Sequence, residues 1–246
     1  MIDATETRVI DCDWHYMDSF KEIAEYMPEP WRTKYKGAKW PDSGVNQAVA
    51  SFFPTSTGDR FAYGKIEREH SNYPHDPETP ERLREGMEFL DVDVSLQISH
   101  LALAMGGVTA DDERVQSFAA GDVDFMEDQV LDPDDGVYGL VPMPYKDVEA
   151  SLELLERVEG HEAWVGACFI TAGASPPLGN RKYDPIYERC ESMDYPVVYH
   201  TGGSGLDEYV RAGYQEMIET HTLGFLESNM SQIVSVAIQG IPEKFP

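Results

Sequence analysis

Asp13 and His15 stand two residues apart near the amino terminus, and His200 closes a short apolar run far downstream. Carboxylate and imidazole are the donor types that suit zinc, manganese or iron. A divalent ion held by such groups lowers the pKa of water or polarises a carbonyl or carboxylate oxygen, which serves hydrolysis and non-oxidative decarboxylation alike. Spacing by itself leaves two readings open. D-x-H arises by chance in many chains, and a histidine at a strand end often does no more than satisfy a backbone group. The same duality holds nearby: His100 could meet a substrate or be an ordinary hydrogen-bonded loop residue, and Asp11 could orient the site from behind or cap a local amide. Gly202, Gly203 and Gly205 allow close backbone approach to a ligand, or simply a turn.

These residues share a space only if particular elements put them there. Arg8 to Asp13 (RVIDCD) reads as a first strand ending at the Asp-Trp-His cluster. Thr79 and Pro80 open a helix as N-cap and first residue, with Leu83, Met87 and Leu90 on one face. Strands are expected at Val92 to Ser99, Val137 to Met143, Ala163 to Ile170 and Pro196 to Tyr199. Helices are expected at about 111–130, at Asp147 to Val158 and at Asp184 to Met193, with two more between Leu206 and Gln239 that part near His221. Strands alternating with helices imply parallel pairing through right-handed crossovers, hence an α/β fold. With no GxGxxG or P-loop after the first strand, a (β/α)8 TIM barrel is favoured over a nucleotide-binding open sheet. In a barrel, strand carboxyl ends converge on one mouth, which would gather Asp13, His15 and His200. Five strands fall short of eight, so residues 1–246 are expected to form a single barrel domain lacking its last strands, with uncovered edges that favour a homo-oligomer. A Pro-, Gly- and aromatic-rich excursion at about 27–80, carrying His70, His75, Trp31, Trp40, Phe52 and Phe53, is expected to be a lid-like insertion.

Composition narrows the partners. Against 45 Asp plus Glu stand 8 Lys and 11 Arg, a formal charge of −26. That excludes a nucleic-acid grip and disfavours an anionic membrane surface; a small-molecule substrate is the expected partner. So acidic a surface is the kind that keeps a protein soluble in concentrated salt, and a halophilic host is expected. Cys12, Cys168 and Cys190 form no CxxC pair and suggest reduced thiols. The N-terminus has acids where a signal peptide needs positive charge, so a cytoplasmic location is expected.

Several segments carry a more specific resemblance. VIDCDWHYMD (Val9 to Asp18) resembles the opening D-x-D-x-H motif of the amidohydrolase-related family, metal-dependent TIM-barrel hydrolases and decarboxylases. GLVPMPYKDVEASLELLERV is similar to that family's third strand and helix, YDPIYERCESMDYPVVYHTGG to its fifth-strand segment, and GIPEKFP to the exit that precedes strand six. The resemblance implies Asp13, His15 and His200 as metal ligands, with zinc the first expectation and manganese or iron the others. It puts the family's fourth ligand, an Asp after strand eight, and the strand-six position where some members hold a catalytic His, beyond Pro246. His100, Gly202 and Gly203 are the expected substrate contacts, and no catalytic residue is assigned. The implied function is metal-dependent hydrolysis or non-oxidative decarboxylation of a small organic acid or cyclic compound. The alternative is a truncated, non-catalytic barrel remnant or binding subunit.

Overall fold

In the computed structural model, which describes residues 7–37, 79–105, 112–202 and 217–246, the apolar runs become five strands in the sequential order β1-β2-β3-β4-β5. Every neighbouring pair is parallel. In chain order the elements are β1 (Ile10–Tyr16), α1 (Phe20–Tyr26), α2 (Trp31–Gly37), α3 (Pro80–Phe89), β2 (Val94–Ser99), α4 (His100–Met105) and α5 (Asp112–Gln129). They continue with β3 (Val137–Pro142), α6 (Val148–Val158), β4 (Trp164–Ile170), α7 (Asp184–Ser192), β5 (Val197–His200), α8 (Met217–Ile238) and α9 (Ile241–Lys244). The α/β class and all five strands agree with expectation. Thr79 caps α3 by accepting from the Arg82 N–H, and Asp147 caps α6 by accepting from the Ala150 N–H.

The sheet must curl. Strands about 4.8 Å apart would set β1 and β5 about 19 Å from each other in a flat sheet. Yet the Nε2 atoms of His15 on β1 and His200 on β5 are 3.2 Å apart. Only a barrel wall closing toward itself brings the two outer strands within side-chain reach. Helices back its outer face. Tyr16 meets Phe125 of α5 with ring centroids 6.1 Å apart, and Trp164 donates its indole N–H to Glu127 of the same helix. Behind β4, Phe169 is stacked between Tyr145 and Tyr187.

Several boundaries differ from expectation for physical reasons. β1 runs on to Tyr16 rather than stopping at Asp13, because it carries a bulge: Asp11 pairs with Ser95, but Trp14 already pairs with Gln97. Val92 lies ahead of β2, since Asp91 at φ 53° turns the chain there. The start of the excursion is a packed helix, with Trp31 and Tyr35 of α2 buried against α1 and α5. The remainder of the lid-like segment, with His70, His75, Trp40, Phe52 and Phe53, lies outside the described residues. α8 runs unbroken through His221, where a division into two helices is expected from the sequence. Gly136 enters β3 at φ 76°, where a Cβ would lie 2.4 Å from the Asp93 carbonyl oxygen, so no other residue fits that turn. Among the described residues no helix is long and apolar enough to cross a membrane.

Candidate metal centre

Asp13 and His15 reach the barrel mouth from within β1, and the bulge between Asp11 and Trp14 sets how they leave it. The amide freed by the bulge is not left unpaired: the Asp13 N–H donates to the Asp11 carboxylate at 2.9 Å. Asp11 therefore caps a local amide, and in doing so holds the backbone that carries the first candidate ligand. His200 is the last residue of β5, pinned by neighbours on both sides. Its carbonyl accepts from the Thr171 N–H at 2.8 Å, and its Nδ1 faces the Thr201 carbonyl oxygen.

Three atoms converge at one point. Asp13 Oδ1 lies 3.2 Å from His15 Nε2 and 2.9 Å from His200 Nε2, and the two Nε2 atoms are 3.2 Å apart. A carbonyl oxygen only accepts, so His200 Nδ1 carries the proton toward Thr201 and its Nε2 presents a lone pair. That lone pair points at a carboxylate oxygen and at a second imidazole nitrogen. A proton on His15 Nε2 can bridge one of these contacts, and a cation at the centre would satisfy all three atoms at once. Donor atoms about 2.0–2.2 Å from a shared ion stand about 3–3.5 Å from one another, and these three lie 2.9–3.2 Å apart. The donor set thus fits a divalent metal, and Asp13, His15 and His200 are the residues that would hold it. Asp13 is held well below the usual carboxylate range, first by its contacts to His15 and His200, against the opposing cost of burial. Its side chain is 70% exposed and that of His200 13%, so the cluster faces solvent from the carboxylate side.

His100 joins the cluster from the first position of α4, its ring 5.9 Å from that of His15. Its Nδ1 is buried without a partner. Burial, followed by the neighbouring imidazoles His15 and His200, pushes it down to about 4, so at neutral pH it is an uncharged imidazole with an unused hydrogen-bonding position. Cys168 on β4 is buried, and burial, then Asp13, raises its thiol to about 12, which makes it inert. Gly202 has a packing reason for lacking a side chain: a Cβ there would sit 2.4 Å from the Leu103 carbonyl oxygen of α4. Gly202→Ala should therefore destabilise the fold by about 1–3 kcal/mol, seen as a lower urea midpoint; an unchanged midpoint would show that α4 does not press on the β5 exit. Gly203 and Gly205 lie outside the described residues, and His221 falls inside α8. Sequence reasoning passed over Asp18 and Asp122, buried carboxyls beneath this cluster. A signal existed for Asp122, which interrupts the apolar stripe Val115, Phe118, Ala119 and Met126 of α5.

Comparison with known proteins agrees with this arrangement. A putative amidohydrolase from Staphylococcus aureus is 15% identical with a TM-score of 0.56, over 98% of this chain and 65% of its own. An amidohydrolase from Mycobacterium avium subsp. paratuberculosis is 16% identical with a TM-score of 0.68, over 98% of this chain and 71% of its own. A dihydroxybenzoic acid decarboxylase from Polaromonas sp. JS666, solved with manganese and the inhibitor 2-nitroresorcinol, is 13% identical with a TM-score of 0.52, over 98% of this chain and 63% of its own. The chain thus spans about two thirds of the length of these structures, whose likeness identifies the five strands as the first five of a (β/α)8 barrel. No curated protein matches the sequence. The amidohydrolase family model matches residues 10–246, nearly the whole chain, and the protein belongs to that family.

Proposed function

We propose that this chain supplies the metal-binding wall of an active site that acts on a small organic acid, with non-oxidative decarboxylation of an unsaturated or aromatic acid as the first reading and hydrolysis as the second. The observation that carries it is the convergence of Asp13 Oδ1, His15 Nε2 and His200 Nε2 with no cationic side chain among them. A divalent ion, zinc before manganese or iron, supplies Lewis acidity there when bound, polarising a substrate oxygen or lowering the pKa of water. The chain's own residues do the rest. Thr201 fixes the His200 tautomer through its carbonyl, and Asp11 fixes Asp13 through its backbone. His100, neutral and unpartnered at Nδ1, would be the side chain to hydrogen-bond a substrate oxygen at this mouth. The decarboxylase reading draws support from the dihydroxybenzoic acid decarboxylase that shares the fold.

The test is a turnover screen of protein loaded with zinc or manganese in molar KCl, set against aromatic acids for carbon dioxide release and against lactones and amides for hydrolysis. With an active substrate in hand, His100→Leu should keep its metal and lose about 10²-fold or more in kcat. Turnover unchanged in His100→Leu would remove His100 from the site. Metal and acid binding without turnover of any compound would favour the non-catalytic binding reading.

A further inference from the structure

A second cluster of titratable groups lies behind the metal centre, where the exit of β1, the start of α4 and the middle of α5 meet. Asp18 and Asp122 are 3% and 1% exposed. Asp18 is fully engaged: its Oδ2 accepts from the Ser99 hydroxyl at 2.8 Å and its Oδ1 from the Leu101 N–H at 3.0 Å. Ser99 Oγ in turn accepts from the Ala102 N–H at 3.3 Å. The single hydroxyl proton of Ser99 is thereby spent on Asp18, and none remains for Asp122. Both Asp122 oxygens are buried with no partner.

A carboxylate without a donor, buried beside another carboxylate, is among the least favourable arrangements in a protein interior. A carboxylic acid in the same place is not, because its O–H is a donor and Asp18 and Ser99 offer acceptor lone pairs. We propose that Asp122 is held protonated and donates into the Asp18–Ser99 cluster, so that the pair carries one proton and one negative charge and joins α5 to the β1 and β2 exits. Asp18 follows His15 by three residues and Ser99 precedes His100 directly, so the pair lies on the segments that carry both histidines. The proposal holds whatever reaction the site performs.

The groups facing the pair agree with this. The strongest influences on Asp18, after its own burial, are the Ser99 hydroxyl, the Leu101 and Asp18 amides, and Glu22 of α1; on Asp122 they are burial, Asp18 and Ser99. No cationic side chain is among them. Burial raises both carboxyls, and the neighbouring Asp18 helps hold Asp122 well above the carboxylate range. In the unfolded chain both lose their protons near pH 4. Between pH 4 and pH 7 the folded state therefore holds more protons than the unfolded state, and the pair's contribution to stability falls as pH rises.

Asp122→Asn keeps a donor at the same place and removes the proton that must be held. Urea unfolding of the full chain in molar KCl should show the variant's folding constant, relative to wild type, rising at least tenfold between pH 5 and pH 7. On wild-type protein, which needs no variant to fold, the infrared spectrum at pH 6.5 should retain the carbonyl stretch of a protonated, buried carboxyl, and Asp122→Asn should lack it. A flat ratio across that pH range, or no such band in wild type, overturns the proposal. So does a saturable stabilisation of wild type by sodium or potassium over tetramethylammonium that Asp122→Asn lacks, because a bound cation would then hold the charge.

Discussion

His15→Ala and His200→Ala should each leave the protein folded and strip it of divalent metal. Losing a residue that merely orients a ligand costs about 10–100-fold in metal affinity, and losing one of three donors outright costs more than that. Elemental mass spectrometry after purification without chelator reads the outcome as close to one metal per wild-type chain and close to none in either variant. Stability should separate the two states. Metal at about 100 times its Kd adds about 2.7 kcal/mol to a protein that binds it only when folded, so wild type should gain that much in urea and the variants nothing. Without metal the gap narrows but keeps its sign. Wild type then keeps Asp13 Oδ1 within 3.2 Å of two imidazole nitrogens whose contacts hold that carboxyl low, and removing one imidazole gives up part of that stabilisation. The variants should be no more stable than metal-free wild type. Equal metal content in all three proteins would show that the triangle is a hydrogen-bonded cluster and nothing more.

Much of this arrangement is legible in the sequence, and the exceptions have a common cause. β3, β4 and α6 are uninterrupted signals: VYGLVP and WVGACFI are apolar runs of strand length, and α6 repeats apolar residues at helical spacing after an Asp cap. Asp13, His15 and His200 are legible because donor type and strand-end position coincide and a parallel barrel sends strand ends to one mouth. α2 is hidden because Trp31 and Tyr35 supply its buried face in a segment otherwise dense in Pro and charge. The bulge in β1 is set by pairing with β2 some 80 residues away, as is the Asp18–Ser99 bond, which spans 81. No local window of sequence contains both partners of such a contact. The role of Gly202 escapes for the same reason, since the carbonyl that forbids a Cβ belongs to Leu103.

Phe169→Ala should destabilise the fold by about 3–5 kcal/mol, while Phe169→Leu should cost under about 2 kcal/mol. The ring is wholly buried and stacked on both faces, at 5.7 Å from Tyr145 and 5.4 Å from Tyr187, with Tyr199 at 6.1 Å. These neighbours cannot collapse into the space it leaves. Tyr145 is tied by its hydroxyl to the Ile170 carbonyl at 2.5 Å, and the hydroxyls of Tyr187 and Tyr199 lie 3.2 Å apart. A cavity therefore persists, and a domain of ordinary stability, about 5–15 kcal/mol, loses a third of it or more. The urea midpoint should fall with the slope unchanged, as expected when the native state is weakened and the denatured state is not. The consequence for the site follows from register. Ile170 pairs with His200, and Thr171 holds the His200 carbonyl, so β4 is the ledge on which the β5 ligand rests. Well below its melting temperature, Phe169→Ala should still bind one metal, with affinity weakened far less than in His200→Ala, whereas His200→Ala should be stable and empty. That double dissociation separates the core that builds the barrel wall from the atoms that use it. Phe169→Ala losing metal as completely as His200→Ala while remaining folded would show that the position of β4, and not the ligand set alone, decides whether the site binds.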